Sequence, residues 1–179
     1  QQTVFFSATM PAEITKLTEQ FLQAPVRVEV SPPSSTVKTV TQRLVKSSSQ
    51  DWAKRARLRD LIRAEEAELK NAIIFCNRKK DVSDLFRSLV RHEFDAGALH
   101  GDMDQRARMA MLSNFRDGRL KLLVASDVAA RGLDIPDVSH IFNFDVPIHA
   151  EDYVHRIGRT GRAGRSGKAF TLVTRSDRK

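Results

Sequence analysis

Residues 72–99, AIIFCNRKKDVSDLFRSLVRHEFDAGAL, contain the pattern that decides the fold. The stretch opens with an unbroken apolar run over 72–76, which is typical of a strand buried on both faces of a sheet. Five apolar side chains then recur at the spacing of one helix face: Val82, Leu85, Phe86, Leu89 and Val90. A second short apolar run follows at 96–99. The stretch therefore predicts a strand, a helix and a strand, the unit from which parallel sheets are built.

The same alternation continues from Val37 to the end of the chain. Apolar or alternating runs predict the remaining strands at 38–45, 120–125, 138–144 and 168–174. Helical patterns predict one helix at 51–69 with Asp51 as its N-cap, another at 104–116 and a third from about His149. A short polar turn is expected after 120–125. Because strands alternate strictly with helices, we predict an α/β fold with a mostly parallel sheet flanked by helices on both faces.

The first 30 residues form a separate strand–helix–strand pattern. An apolar run at 4–6 and an alternating run at 26–30 predict its strands. The Pro- and Ser-rich stretch 31–36 predicts a linker, which separates this unit from a second domain at 37–179. Since the chain opens without Met directly into an apolar strand, we expect this first unit to be the end of another domain. We expect it either to be displaced or to mediate self-association.

The composition narrows the class of protein. With 41% hydrophobic and 29% charged residues, and with 8 Gly and 6 Pro in 179 residues, the chain is neither collagen-like, nor wholly disordered, nor a disulfide scaffold. Its 30 Lys and Arg exceed its 22 Asp and Glu, and the net charge of +8 favours polyanionic partners such as nucleic acid. No apolar stretch approaches the roughly 18 residues of a membrane span. The lone Cys76 lies in an apolar run, so we expect its thiol to be buried. Because the sequence has one cysteine and no apolar stretch of membrane-spanning length, we expect a cytoplasmic protein with no membrane contact.

Three polar loops follow strands of the predicted sheet, at 77–80, 100–102 and 126–127. Because the carboxyl ends of parallel strands meet at one edge of a sheet, we expect these loops to lie side by side. Gly101 permits a phosphate to approach backbone N–H groups closely, and Arg78 adds a side-chain donor. The pattern is compatible with a phosphate-binding track, and equally compatible with ordinary solvated turns.

The stretch 150–168 concentrates arginine and glycine. Residues 150–179 hold eight Lys and Arg against three Asp and Glu, so much of the net positive charge lies here. If the first turns are helical, His155, Arg159 and Arg162 share one helix face. Two guanidinium groups on one face suit a polyphosphate. The alternative, a flexible basic loop that grips nucleic acid without specificity, stays open.

Other charged residues carry weaker signals. Asp127 and Asp134 lie seven residues apart, and no sequence pattern fixes their carboxylates at the distance that an acid–base pair needs. We interpret them as hydroxyl acceptors or as partners of nearby arginines. No Cys or second His lies at metal-ligand spacing from His100 or His155, and we expect no metal site. The basic run at 54–57 is interpreted as the solvated face of its helix.

The chain contains no G-x-x-x-x-G-K-[ST] phosphate loop. Its only Gly-Lys pair, Gly167-Lys168, is followed by Ala and lacks the first Gly of that pattern. Phosphate-seeking arginines without a phosphate loop indicate a domain that completes a nucleotide site built on another domain.

Five short motifs, in order, resemble those of the DEAD-box RNA helicases of superfamily two, over essentially the whole chain. They are SAT at 7–9, IIFCNR at 73–78, HGD at 100–102 with Gln105 and Arg108 behind it, ASDVAARGLD at 125–134 and HRIGRTGR at 155–162. The family often has Thr where this chain has Ser126, and the hydroxyl is retained. The sequence of the chain is similar to that of bacterial RhlE-like members.

The resemblance implies a RecA-like fold of the P-loop NTPase type for 37–179, as the second lobe of a helicase. Residues 1–30 would be the last strand–helix–strand unit of the N-terminal RecA-like domain, with the phosphate loop and the D-E-A-D motif upstream. ATP with Mg²⁺ would be bound mainly by that N-terminal domain. The resemblance therefore implies that this chain is inactive alone.

The resemblance also implies roles for individual residues. The catalytic set would be Arg159, Arg162, His155, Ser7 and Thr9. The two arginines would reach the γ-phosphate of ATP as arginine fingers, the histidine would link the site to the SAT motif, and Asp134 would accept from the ribose hydroxyls. RNA, single-stranded or in a short duplex, would be bound by Asn77, Arg78, Gly101, Asp102, Gln105, Arg108, Ser126 and Arg131. The implied activity is ATP-dependent local unwinding of RNA duplexes.

Two other functions stay open. A non-catalytic RNA-binding module would use the same arginines to grip phosphates only, and its RNA affinity would not depend on nucleotide. A DNA translocase of the same superfamily would prefer DNA to RNA when the two strands compete.

Overall fold

The computed structural model describes residues 3–7, 10, 12–28 and 39–177. The chain divides into two compact units, Gln1–Thr36 and Val37–Lys179. This division falls next to the predicted linker at 31–36, which lies outside the described residues, as does Thr9. The assignment of the first unit to another RecA-like domain stays a prediction.

Within its described residues, the first unit contains one helix, α1 (Ala12–Phe21). No strand forms at 3–7 or at 22–28, so the two strand predictions are wrong for these described residues. Val4 is 62% exposed and Phe6 is 89% exposed. A strand needs a hydrogen-bonding neighbour, and none is present in the described part of this unit. Self-association through these apolar side chains stays a prediction.

The second unit is built on a sheet of six parallel strands within 39–177. They are β1 (Val40–Lys46), β2 (Ala72–Cys76), β3 (Ala96–Leu99), β4 (Leu122–Ser126), β5 (His140–Asn143) and β6 (Gly167–Val173). The strand order across the sheet is β1-β6-β5-β2-β4-β3, and every neighbouring pair is parallel. The prediction of a parallel α/β sheet is confirmed.

Five α-helices connect the strands in the same part of the chain: α2 (Asp51–Ala64), α3 (Lys79–Arg91), α4 (Gln105–Arg116), α5 (Asp127–Ala130) and α6 (Ala150–Ile157). Short 3₁₀ turns lie at Arg162–Gly164 and Arg175–Asp177. Gln50, and not Asp51, is the N-cap of α2. The helix ends at Ala64, well short of the predicted boundary, and the turn after β4 is in fact the helix α5.

Two apolar layers cover the sheet. Alternate residues of β2 belong to different layers: Ile74 packs in the cluster that contains Leu85 of α3, and Ile73 in the cluster that contains Phe115 of α4. The strands β2, β4 and β5 are buried along their whole length, as expected for central strands covered on both faces. Cys76 is buried as predicted, and this burial raises the pKa of its thiol well above the ordinary value.

A partly buried ion network joins the end of α2 to the amino ends of β5 and β6. His140 is 2% exposed, and its Nε2 lies 3.1 Å from Oε2 of Glu65, which also accepts from Lys168 Nζ at 2.9 Å. Burial lowers the pKa of His140 and outweighs the opposing hydrogen bond to Glu65. Burial alone would raise the pKa of Glu65, but its hydrogen bonds to Lys168 and His140 bring that pKa below the ordinary value.

We expect the free energy of unfolding to fall as the pH falls from about 7.5 to about 5.5. The pKa of His140 is lower in the folded state than its unfolded value of about 6.5, so the unfolded chain binds more protons in this range. The stability is therefore complete above the unfolded pKa and is lost as the pH falls toward the folded pKa. The lowered pKa of Glu65 has the same sign at more acidic pH.

Urea denaturation of the wild type and of His140→Phe at both pH values measures this effect. A phenylalanine ring can retain the stacking on Phe142 and Phe170, whose centroids lie 5.9 and 6.3 Å from the imidazole, and it removes the titrating nitrogen atoms. The difference in stability between the two pH values is expected to shrink in the variant. An unchanged difference would show that another group titrates.

Candidate functional site

The three polar loops meet at one edge of the sheet. β2 pairs with β4, with Cys76 opposite Ser126, and β4 pairs with β3, with Ala125 opposite Leu99. All three strands run parallel, so the loops that follow them leave the sheet at the same edge. The register confirms this part of the sequence prediction.

Arg156 of α6 is the centre of a buried hydrogen-bond network behind these loops. Its side chain is 1% exposed, and its Nε and Nη2 donate to the two carboxylate oxygens of Asp127 at 2.8 and 2.6 Å. Nη2 also donates to Oδ1 of Asn77 at 2.7 Å, and Nη1 donates to the carbonyl of Asp145 at 2.8 Å. Asp127 is thus an arginine partner, one of the two roles predicted for it. These charge-assisted contacts fix the loops after β2, β4 and β5 to α6.

Lys54 of α2 extends this network. Its Nζ lies 2.6 Å from Oδ1 of Asp145, whose Oδ2 accepts the backbone N–H of Asn77 at 3.0 Å. The side-chain Nδ2 of Asn77 donates to the Val146 carbonyl at 2.8 Å, and its Oδ1 accepts from Arg156. Both polar atoms of that side chain therefore have partners inside the protein. Lys54 is 9% exposed, and the interpretation of 54–57 as a solvated face is wrong for this residue. A contact between Asn77 and RNA stays a prediction.

Exposed basic side chains in the first two loops are paired with carboxylates. Arg78 donates to Asp81 through Nε at 2.7 Å and through Nη2 at 3.2 Å, and these hydrogen bonds raise the pKa of Arg78. Lys79 contacts Asp102, and the hydrogen bond from Lys79 lowers the pKa of that carboxyl. The Arg78 side chain is nevertheless 76% exposed. The pairs therefore hold the loops in place and leave the cations accessible from solvent.

Gln105 and Arg108 lie on α4, which follows the exposed Gly101. Arg108 Nη2 donates to the carbonyl of Ala129 at 3.0 Å, while its Nε is buried without a partner among the described residues. Nδ1 of His100 is likewise buried and unpartnered within that part of the chain. Buried polar atoms normally have partners, so two exceptions at this edge favour a ligand that supplies them.

The loop after β4 is tied to α6 at its surface as well. Ser126 is the N-cap of α5, and its Oγ accepts the N–H of Ala129 at 3.4 Å. Arg131, just after α5, directs Nη2 to Oδ1 of Asp152 in the first turn of α6, at 2.6 Å. The Arg131 side chain is 64% exposed. This surface ion pair adds to the buried link through Arg156.

The chain leaves α6 before it reaches the two candidate finger arginines. The helix ends at Ile157, so the predicted single helix face carrying the histidine and both arginines is wrong. Gly161 takes a left-handed φ of +71°, and a Cβ there would lie 2.7 Å from a methyl group of Val40. Glycine alone fits this close turn against β1. The turn, and not helical spacing, therefore sets the positions of these arginines.

Arg159 and Arg162 are neighbouring cations without a carboxylate partner among residues 39–177. Burial lowers the pKa of Arg159, the nearby charge of Arg162 lowers that pKa further, and the carboxylate of Asp134 opposes both effects without reversing them. Both guanidinium groups meet backbone carbonyls: Arg159 Nη1 lies 3.5 Å from that of Leu133, and Arg162 Nε donates to that of Gly158 at 2.7 Å. Two adjacent cations that repel each other are suited to bind an anion.

Asp134 and His155 are exposed groups on the same side of the molecule as this pair. The Asp134 side chain is 97% exposed, and its Oδ2 lies 3.4 Å from Arg116 Nη2. His155 lines a small cavity together with Asp152 and Arg159. Ser7 belongs to the first unit, and Thr9 lies outside the described residues.

A cleft of about 380 Å³ lies at the opposite, amino-terminal edge of the sheet. Four of its charged side chains form two ion pairs, Lys168 with Glu68 at 3.0 Å and Arg165 with Asp137 at 3.6 Å. Among the described residues there is no group of three potential metal ligands, and no helix there has the length and apolarity needed to cross a bilayer. The candidate site therefore comprises the polar loops at the carboxyl edge together with Arg159 and Arg162, which have no carboxylate partner among residues 39–177 and follow α6 toward the amino ends of β1 and β5.

Sequence reasoning gave no role to four residues that organise the site: Arg156, Lys54, Asp145 and Asp152. Asp145 follows a strand and Asp152 opens a helix, and these are positions at which a carboxylate often finds a partner. Neither position indicates which partner. Nothing in the sequence distinguishes Lys54 from its basic neighbours, because burial on a helix depends on what packs against it.

Known proteins are similar to this chain in sequence and in fold. Residues 53–164 match the family described as "Helicase conserved C-terminal domain". RNA helicase CrhR of Synechocystis is 45% identical over 100% of this chain and 36% of its own length. The chain spans about a third of the length of the curated relatives it matches.

Solved structures of DEAD-box proteins are similar to this chain in fold. The crystal structure of E. coli DEAD-box protein SrmB, bound to regulator of ribonuclease activity A, has 40% identity and a TM-score of 0.73 over 79% of this chain and 81% of that chain. S. cerevisiae Dbp5 bound to RNA and ADP BeF3 has 31% identity and a TM-score of 0.81 over 94% of this chain and 44% of that chain. The RhlE-like subgroup stays a prediction. The chain belongs to the DEAD-box RNA helicases and contains their conserved C-terminal helicase domain, with its RecA-like fold.

Proposed function

We propose that the chain is the C-terminal half of an ATP-dependent RNA helicase that couples ATP binding and hydrolysis to local unwinding of RNA duplexes. One observation carries this proposal: Arg159 and Arg162 are adjacent cations without a carboxylate partner among residues 39–177. A polyphosphate is an anion that suits two guanidinium forks. In this role the two side chains act as arginine fingers on the γ-phosphate of ATP.

ATP with Mg²⁺ is held mainly by an N-terminal RecA-like domain in this proposal, because the chain has no phosphate loop of its own. The chain supplies the two arginines and Asp134, whose exposed carboxylate is accessible to the ribose hydroxyls. The proposed link from His155 to Ser7 and Thr9 rests on the family resemblance alone.

In the proposal, the RNA backbone follows the loops after β2, β3 and β4. Arg78 and Arg131 offer exposed guanidinium groups, and Arg108 and His100 carry buried nitrogen atoms without partners in the described part of the chain. The likeness to S. cerevisiae Dbp5, whose structure was solved with RNA and ADP BeF3, supports RNA binding by analogy. Because such contacts address phosphates and not bases, RNA affinity has weak base preference and falls steeply with salt.

In this mechanism, unwinding results from the binding of one ATP molecule by both domains. ATP bridges the two RecA-like domains and closes them on RNA, which bends one strand and expels the other. Hydrolysis removes the γ-phosphate that the fingers hold, so the domains reopen and release the strand.

We expect the 179-residue chain to show no measurable ATPase activity by itself. Joined to the N-terminal RecA-like domain of a DEAD-box relative, it is expected to give ATP hydrolysis that RNA stimulates, because the phosphate loop and the fingers then act on one nucleotide. Phosphate release with and without an oligouridylate measures both results.

The joined protein also separates the alternative functions. RNA affinity that does not respond to an ATP analogue favours the non-catalytic RNA-binding module, and stronger competition by DNA than by RNA favours a DNA translocase. ATP hydrolysis by this chain alone contradicts the proposal that the nucleotide is held mainly by the other domain.

A further inference from the structure

The ion pair between Arg131 and Asp152 joins two segments with different proposed roles. Arg131 lies in the loop after β4, which contacts RNA in the proposed function, and Asp152 lies in the first turn of α6. Arg131 Nη2 is 2.6 Å from Asp152 Oδ1. The arginine side chain is 64% exposed, whereas that of Asp152 is 13% exposed. The carboxylate therefore covers one edge of the guanidinium group and leaves the rest open to solvent.

We propose that Asp152 and an RNA phosphate compete for Arg131, so that RNA binding releases the first turn of α6. This inference rests on the proposed function. A carboxylate oxygen and a phosphate oxygen are alternative acceptors for the same guanidinium N–H groups. If both remained on the guanidinium, two negative groups would lie side by side, and their repulsion costs free energy. Asp152 thus lowers the RNA affinity of this loop.

The release of Asp152 acts on the helix that leads to the finger arginines. α6 has eight residues, and its N-cap, His149, makes no side-chain cap hydrogen bond. The first turn is instead fixed by Asp152 and by the Tyr153 hydroxyl, which donates to Gln42 at 2.6 Å. The last turn is held separately, through Arg156 in the buried network. RNA at Arg131 therefore removes one of the two side-chain contacts that fix the start of α6, while the end of the helix stays fixed.

Glu151 provides a matched control for Asp152. It is the adjacent residue in the same turn, is exposed and has no hydrogen-bond or ion-pair partner among the described residues. Glu151→Gln removes one negative charge, as Asp152→Asn does, at a similar distance from the helix N-terminus. It does so without breaking an ion pair.

Fluorescence anisotropy with a labelled oligouridylate, at low salt, measures the RNA affinity of the 179-residue chain. We expect Asp152→Asn to bind about two- to fivefold more tightly than wild type, the range of a solvent-accessible ion pair. Glu151→Gln is expected to change the affinity by less than about 1.5-fold. Arg131→Gln is expected to weaken RNA binding. In the double variant, which combines Arg131→Gln with Asp152→Asn, the second substitution has no larger effect than Glu151→Gln, because the arginine for which Asp152 and RNA compete is absent.

Two sets of results overturn different parts of this account. Additive changes in the double variant, equal gains in Asp152→Asn and Glu151→Gln, or a loss of affinity in Asp152→Asn overturn the competition alone. A wild-type chain that binds no oligouridylate, or an Arg131→Gln variant that binds as wild type does, overturns the proposed RNA contact at this loop, and the inference falls with it.

Discussion

In a two-domain protein that joins this chain to an N-terminal RecA-like domain, Arg162→Ala is expected to lower kcat for RNA-stimulated ATP hydrolysis by about 10³- to 10⁵-fold. A finger guanidinium stabilises the charge that develops on the transferred phosphoryl group, so its loss falls mainly on kcat. Arg162 is exposed, and its guanidinium donates to the backbone carbonyl of Gly158. Its truncation is therefore expected to leave the fold intact. Phosphate release at saturating ATP and RNA measures the effect.

Arg165→Ala is the matched control for that variant. Arg165 lies three residues further along the chain, is 70% exposed and pairs with Asp137 at 3.6 Å. The substitution removes the same charge from the same region and is expected to leave kcat within about twofold of wild type. Equal rates for Arg162→Ala and wild type would refute the assignment of Arg162 as a finger.

Arg156→Ala is expected to lower the free energy of unfolding by about 3–5 kcal/mol. Arg156 is 1% exposed, and its loss removes the partner of Asp127 and of Asn77 Oδ1, and a donor to the Asp145 carbonyl. A partly buried carboxylate and two partly buried acceptors left without these donors cost more than the lost packing of one side chain. Urea denaturation of the chain measures the change.

Arg131→Ala tests whether burial is the reason. Both arginines lie 2.6 Å from an aspartate oxygen, but the Arg131 side chain is 64% exposed. Water replaces its ion pair at little cost, so the expected loss is below about 1 kcal/mol. Similar losses in the two variants would mean that the buried network does not stabilise the fold in the way its geometry indicates.

The strands of the parallel sheet were predictable because a strand covered on both faces is mainly apolar. β2 and β3 begin and end where the apolar runs at 72–76 and 96–99 predict. The predictions that failed depend on partners distant in sequence. The run at 4–6 has strand composition but no neighbouring strand in its described unit, and α2 stops where Glu65 turns to bind the sheet.

The candidate site was predictable in its place and not in its details. Three loops had to share one edge, because parallel strands end there. Arg156 and Arg159 lie three residues apart with the same chemistry, yet the first is locked on a carboxylate in the interior and the second has no such partner in the described part of the chain. Helical spacing misplaced the finger arginines, because contacts with β1 turn the chain at Gly161.

The sequence by itself determined the layers of the domain, the limits of β2 and β3 and the loops that carry the candidate site, since all of these follow from local periodicity. The tertiary structure alone decided which charges meet. Lys54 pairs with Asp145 across 91 residues of chain, and Arg131 pairs with Asp152 across 21. A charge takes the partner that folding brings within a few ångströms, and no local pattern records that distance.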